Sequence, residues 1–166
     1  SKELYVSDWG KSHQVKVFAL DGRPARTFGK PGGFQVGPYD EQRMHRPCGL
    51  AIDDKGQLWI AEADWLPKRI SLWDSATGAF KSARYGPPHY GGGGTIDPED
   101  KTRFFYGEYG GTLEFKLDWE KGTAKLVAIP IRHDVQGFDP MPGDFPFAPE
   151  FPIHTNGRLY LTLSYQ

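Results

Sequence analysis

Leu4-Tyr5-Val6-Ser7-Asp8, Leu58-Trp59-Ile60-Ala61-Glu62 and Phe104-Phe105-Tyr106-Gly107-Glu108 are apolar-rich runs that alternate between two faces, and each closes on a carboxylate at its fifth position. A fourth run, Leu159-Tyr160-Leu161-Thr162-Leu163, keeps the alternation and puts Leu163 where the acid stood. Alternation of period two predicts strands, since successive side chains of an extended chain point to opposite sides. A second alternating run follows each of the first three: Val15–Phe18, Ile70–Trp73 and Leu113–Leu117. Each of these leads to a glycine turn, at Asp21-Gly22, Ala76-Thr77-Gly78 and Glu120-Lys121-Gly122. A short further strand comes next, at Arg26–Phe28, Ser82–Tyr85 and Ala124–Ile129. Glycine turns between alternating runs predict antiparallel hairpins. Ahead of the second run, Gly49–Asp53 reads as one more strand entering a tight turn at Gly56. No stretch carries a sustained helical period.

The runs recur roughly every fifty residues, the length of one four-stranded propeller blade. A lone meander leaves a greasy face in water, so such units stack about an axis. The expected fold is therefore all-β: a β-propeller of four-stranded antiparallel blades, incomplete at about 3 to 3.5 blades. It forms a single partial ring whose segments lie at about 3–29, 47–86, 92–131 and 147–166. The first segment lacks an innermost strand.

Composition agrees. With 21 Gly, 14 Pro and 14% aromatics among 166 residues, the chain favours short strands and tight turns. Lys+Arg number 20 against 21 Asp+Glu, so no chain-wide basic surface exists for nucleic acid, and no nucleic-acid partner is expected. No apolar run approaches the roughly 18–20 residues of a membrane span. A single cysteine, Cys48, excludes an internal disulfide and a multi-cysteine metal site. The chain reads as a segment of a longer protein, so an export signal would lie outside it.

Pro47-Cys48-Gly49-Leu50-Ala51-Ile52-Asp53, Gly56–Glu62 and Arg69-Ile70-Ser71-Leu72-Trp73 together resemble one NHL repeat, as do Leu4–Asp8, Val15–Phe18, Asp21-Gly22 and Phe28-Gly29. The likeness covers about residues 3–86 and thins after them. It implies a six-bladed propeller of the NHL or TolB-like group, whose members include protein- and RNA-binding modules, extracellular sensors, and metal-dependent lyases and lactonases. An extracytoplasmic setting is slightly favoured on that ground alone. The rest of the ring would come from a longer parent chain or from a second copy.

In a propeller the innermost strand starts at the rim where the next strand ends, and ligands bind over the axis at that rim. Two residue sets converge there. One is the carboxylates Glu62 and Glu108, with Asp64 deeper in the same loop and Asp8 in the first segment; each either anchors its hairpin or serves as ligand or base. The other is His45, His89 and His133, equally spaced and each beginning His-x-x-x-Gly. His45 and Asp53 align without a gap on His89 and Asp97. Converging imidazoles with carboxylates suit a divalent metal, Zn or Ca, able to activate a water. The lyase relatives place a metal histidine directly after the strand-opening proline; here that position holds Cys48 in one repeat and His89 in the next. The alternative for these histidines is a place in solvated loops.

Tyr39, Arg43, Arg46 and Tyr90 are the candidate ligand-rim residues, three of them from the loop Lys30–Arg46. Gly91–Gly94 lacks the Gly-Lys-Ser/Thr ending of a phosphate loop. The stretch Asp139–Pro152, rich in Pro and Phe, reads as a rigid lid, and no serine stands in a nucleophile-elbow context. Two functions follow. The first is a binding scaffold for a protein, peptide or glycan. The alternative is a metal-dependent propeller lyase or hydrolase, lactonase-like or amidating-lyase-like, using Glu62, Asp64 or Glu108 beside the histidines.

Overall fold

A computed structural model describes residues 3–63, 67–86, 94–108, 111–132 and 152–161. The described residues are strands and turns, with no helix. The chain divides into two compact units, residues 1–34 with 40–86, and 35–39 with 87–166.

The first unit opens with β1 (Glu3–Asp8), β2 (Gln14–Ala19) and β3 (Pro24–Phe28), a three-stranded antiparallel sheet in chain order. β4 (Gly37–Pro38) belongs to the second unit. The first unit then continues as β5 (Pro47–Ile52), β6 (Gln57–Glu62), β7 (Arg69–Asp74) and β8 (Phe80–Tyr85), a four-stranded antiparallel meander. Cross-strand partners share a face, which sorts the side chains directly. Val15 opposes Phe28 on one sheet, while Leu58 opposes Trp73 on the other. These residues join Val17, Ile60 and Met44 in one buried core, with Tyr5, Leu50 and Phe80 packed against it. Phe28 meets Trp73 edge-on at 6.2 Å. Each such buried side chain stabilises by about 1.5–3 kcal/mol.

The faces turned away from this core carry apolar side chains as well, among polar ones such as Lys16 and Arg84. On the first sheet Leu4 opposes Phe18, and Leu4 and Val6 are exposed. On the meander Ala51, Trp59 and Leu72 form one cross-strand row, and Gly49, Ala61 and Ile70 form the next. Ile70 is 47% exposed.

In the second unit β9 (Gly94–Ile96), β10 (Arg103–Glu108), β11 (Gly111–Asp118) and β12 (Thr123–Arg132) repeat the antiparallel meander, and β4 adds to its far edge beside β12. β13 (Pro152–Thr155) and β14 (Arg158–Leu161) form a separate hairpin.

Carboxylates build the turns. Asp53 accepts from the Lys55 and Gln57 N–H groups and the Trp59 indole, and Asp97 accepts from the Glu99 and Asp100 N–H groups at the corresponding turn of the second unit. Asp74 accepts from Ala76 and Thr77. The Thr77 N–H and hydroxyl, helped by Lys81, hold the Asp74 carboxyl at about 2. The Thr102 hydroxyl and N–H, helped by Lys116, do the same for Asp100, also at about 2. Both values are depressed, so the stability they contribute is complete above the ordinary carboxylate range and is lost as pH falls from about 4 toward 2. Asp74→Asn should therefore flatten the dependence of the thermal midpoint on pH below about pH 4, measured by circular dichroism.

Candidate functional site

Three parts of the first unit interlock beside the start of β5: residues 9–13, the stretch 29–34 with 40–46, and Ala63 at the end of β6. Asp8 organises the first. Its carboxylate accepts from Gly10 N–H at 2.7 Å, from the Ser12 hydroxyl at 2.6 Å and from Lys16. The Lys16 ammonium, then Ser12 and Gly10, hold this carboxyl far below the usual range. Gly32 N–H donates to the Ser12 carbonyl, joining the second connection to the first. Ala63 N–H donates to the Arg46 carbonyl, joining the end of β6 to the second.

At the centre lies a stack. The His45 ring is parallel to His13 at 4.2 Å and to Phe34 at 5.8 Å. Beneath it, Glu62 and Arg69 pair at 3.4 Å with both side chains fully buried. Glu62 also accepts the His45 N–H at 2.8 Å. The Arg69 guanidinium donates to the carbonyls of Arg43 and Glu41 and lies over the Phe34 and Phe80 rings. One arginine thus ties the long loop to the sheet, and its planar fork suits several acceptors at once.

Above the stack the backbone is strained. His13 and Arg46 adopt φ of 49° and 51°, left-handed values that cost a non-glycine residue energy. They hold each other, since Arg46 N–H donates to His13 Nδ1 at 3.1 Å. Gly33 (φ +71°) closes the group: a Cβ there would lie 2.8 Å from His45 Nδ1 and 2.9 Å from His13 Cδ2. Gly33→Ala should destabilise by about 1–3 kcal/mol, combining strain with overpacking. Urea unfolding of the variant beside the unsubstituted chain checks this.

The outer surface of the cluster carries Trp9, Arg46 and Cys48. Trp9 is 51% exposed, and its indole N–H is fastened to the Pro47 carbonyl. The Arg46 side chain is exposed and forms no ion pair among the described residues. Arg43 is engaged, donating to the Pro31 carbonyl and lying 3.9 Å from Asp40. Burial works to raise the Asp40 carboxyl, but Lys30 at 2.7 Å and the Gln42 N–H outweigh it and leave it lowered.

The expected site residues therefore part company. His45 is buried in the stack, Glu62 in the ion pair, and Arg46 stands at the surface. Tyr39 belongs to the second unit, where its N–H donates to the Val127 carbonyl. Asp64, His89, Tyr90, His133 and the stretch 139–151 lie outside the described residues, as does the side chain of Glu108. Among the described residues no group of three His, Cys, Asp or Glu side chains is placed to hold a metal ion. Sequence reasoning passed over Trp9, His13, Phe34 and Arg69 as site residues. The signal for Trp9 was available, since an indole directly after the hairpin-closing Asp8 stands where a strand leaves its sheet.

A cavity of about 540 Å³ lined by Glu3, Tyr5, Arg26, Ile52, Ser75 and Ala76 lies where β5 ends. Its arginine is committed to structure. Arg26 grips both Glu3 oxygens, at 2.8 and 2.7 Å, and also donates to the Tyr5 hydroxyl and the Ser75 carbonyl.

The chain is thus an all-β protein of antiparallel sheets. No model of a known protein family matches it, and no curated protein is significantly similar to it.

Proposed function

We propose that this chain is a run of about three blades of an NHL-like, six-bladed β-propeller, and that the propeller is a binding scaffold for a protein, peptide or glycan. The propeller reading is supported by the large apolar side chains that both sheets of the first unit carry on their outward faces too, among them Leu4, Val6, Trp59 and Ile70. A two-sheet sandwich turns polar residues outward, whereas a blade inside a ring is covered on both sides. Further support comes from Asp53 and Asp97, which organise corresponding turns of successive meanders.

The observation that carries the functional reading is the surface of the loop cluster. Trp9 is held exposed by its bond to Pro47, beside Arg46 in a strained, fixed backbone. Tryptophan and arginine are the side chains that most often dominate binding energy, and rigid presentation lowers the entropy lost on binding. The ligand would be met at the rim, with Trp9 offering an apolar plane and Arg46 a fork for a carboxylate or hydroxyl pair.

The test is a screen of the immobilised chain against a defined library of peptides and oligosaccharides, followed by titration of the best ligand. Trp9→Ala and Arg46→Ala should each weaken binding by about tenfold or more. Unchanged affinity in both variants would remove the rim site. Saturable turnover of a lactone or ester panel, dependent on added Zn or Ca, would replace the scaffold reading by the enzymatic one.

A further inference from the structure

The loop cluster lies at the start of β5, and the cavity of about 540 Å³ lies at its end, so the two are separate places on the first unit. β1 and β3 supply Glu3, Tyr5 and Arg26 to one side of the cavity. The end of β5 and the turn from β7 to β8 supply Ile52, Ser75 and Ala76 to the other. The walls are fixed. Asp74 accepts from the Ala76 and Thr77 N–H groups, and Ser75 N–H donates to the Gly56 carbonyl at 3.1 Å, which holds the turn. Arg26 joins the two sides, because its Nε donates across to the Ser75 carbonyl at 2.8 Å. A preformed site loses little conformational entropy on binding.

The lining has a definite chemistry. A guanidinium carries five N–H groups and no acceptor. Arg26 commits four of them, to Glu3 Oε1, Glu3 Oε2, the Tyr5 hydroxyl and the Ser75 carbonyl, and one N–H on Nη1 is left over. The Ser75 hydroxyl bonds to no described residue, and a hydroxyl both donates and accepts. Beside these polar groups stand Ile52, 49% exposed, and the exposed methyl of Ala76. The cavity thus combines a neutralised ion pair, two unused polar groups and an apolar wall. A charged ligand gains little from an arginine whose charge Glu3 already cancels. A wholly apolar ligand would strand the Nη1 donor and the Ser75 hydroxyl, at the cost of their hydrogen bonds to water. A pyranose ring has hydroxyls around its edge and C–H groups on its faces, and so matches both walls. The volume suits one or two rings, since small-ligand pockets run from about 300 to about 1,000 Å³.

We propose that this cavity binds a neutral mono- or disaccharide. One sugar hydroxyl accepts from Arg26 Nη1, a neighbouring hydroxyl exchanges hydrogen bonds with Ser75 Oγ, and a C–H face of the ring lies against Ile52 and Ala76. Glu3 sets the specificity for neutral sugars by cancelling the arginine charge. The site does not depend on the rim surface of Trp9 and Arg46, and either can fail without the other.

Amide NMR of the isotope-labelled chain tests the site, with glucose, galactose, maltose, cellobiose and lactose as probes to about 50 mM, enough to saturate a millimolar site. At least one sugar should shift the Ile52, Ser75 and Ala76 amides saturably. Ser75→Ala should weaken that sugar by about three- to tenfold, the loss of one neutral hydrogen bond. Ile52→Trp, at a half-exposed position, fills the space and should remove saturable binding. Glu3→Gln leaves the guanidinium uncompensated, so preference should turn from glucose to glucuronate, a reversal that a merely structural Glu3 would not produce. Three results overturn the proposal: no sugar shifts these three amides, the shifts fall instead on the amides around Trp9 and Arg46, or Ile52→Trp binds with unaltered affinity. N-acetylalanine amide binding here in preference to every sugar would also overturn it, in favour of a peptide site.

Discussion

Arg69→Met is expected to destabilise the first unit by about 3–5 kcal/mol, the largest single effect in the chain. The pair with Glu62 is fully buried on both sides, so removing the guanidinium leaves a carboxylate in the interior without its cation. The carbonyls of Arg43 and Glu41 lose their donor in the same step, and the long loop loses its tie to β7. A domain of this size is stable by about 5–15 kcal/mol, so a loss of this magnitude is a large share of the whole. Urea unfolding followed by near-ultraviolet circular dichroism is the measurement. The double variant Arg69→Met with Glu62→Leu should recover part of the loss, because replacing both charges by apolar groups removes the desolvation penalty along with the attraction. A single variant within about 1 kcal/mol of the parent would mean that the pair is not the keystone described above.

Trp73→Ala should follow closely, at about 3–5 kcal/mol. Trp73 is 2% exposed and joins the two sheets of the first unit, with Phe28 edge-on from one and Phe80 at 5.1 Å from the other. Its indole N–H donates to the buried Ser71 hydroxyl at 2.9 Å. Removing the ring opens a cavity that a rigid strand cannot collapse into. Trp73→Phe keeps most of the volume and strands the Ser71 hydroxyl, so it should cost about 1–3 kcal/mol. Comparing the denaturant midpoints of the two variants separates the cavity from the hydrogen bond. Equal losses in both would show that the hydrogen bond, and not the volume, dominates at this position.

Strand positions were legible in the chain because alternation is a local property. β1, β2, β6, β7, β10 and β11 cover the runs read from the sequence, and the turns between strands contain the glycines expected, including Gly22 and Gly78 at φ of 87° and 79°. The site was legible only in part. Arg46 and the loop Lys30–Arg46 were visible as a long, charged connection. The stack of His13 on His45 was not, because the two lie in different loops and nothing in either loop specifies the other. The same holds for His154, whose ring in the structure lies 2.6 Å from the Asp97 carboxylate of a distant segment.

The amino-acid sequence by itself determined where the chain is extended, where it turns and which faces of each strand are greasy, since each of these depends on neighbours a few residues away. Tertiary structure alone decided which histidines meet, that Glu62 and Arg69 are sealed from water together, and that Trp9 is pinned outward on Pro47. Those outcomes depend on loops brought together across tens of residues. The energy of a buried charge or a stacked ring is set by what surrounds it, and the surroundings exist only once the sheets have packed.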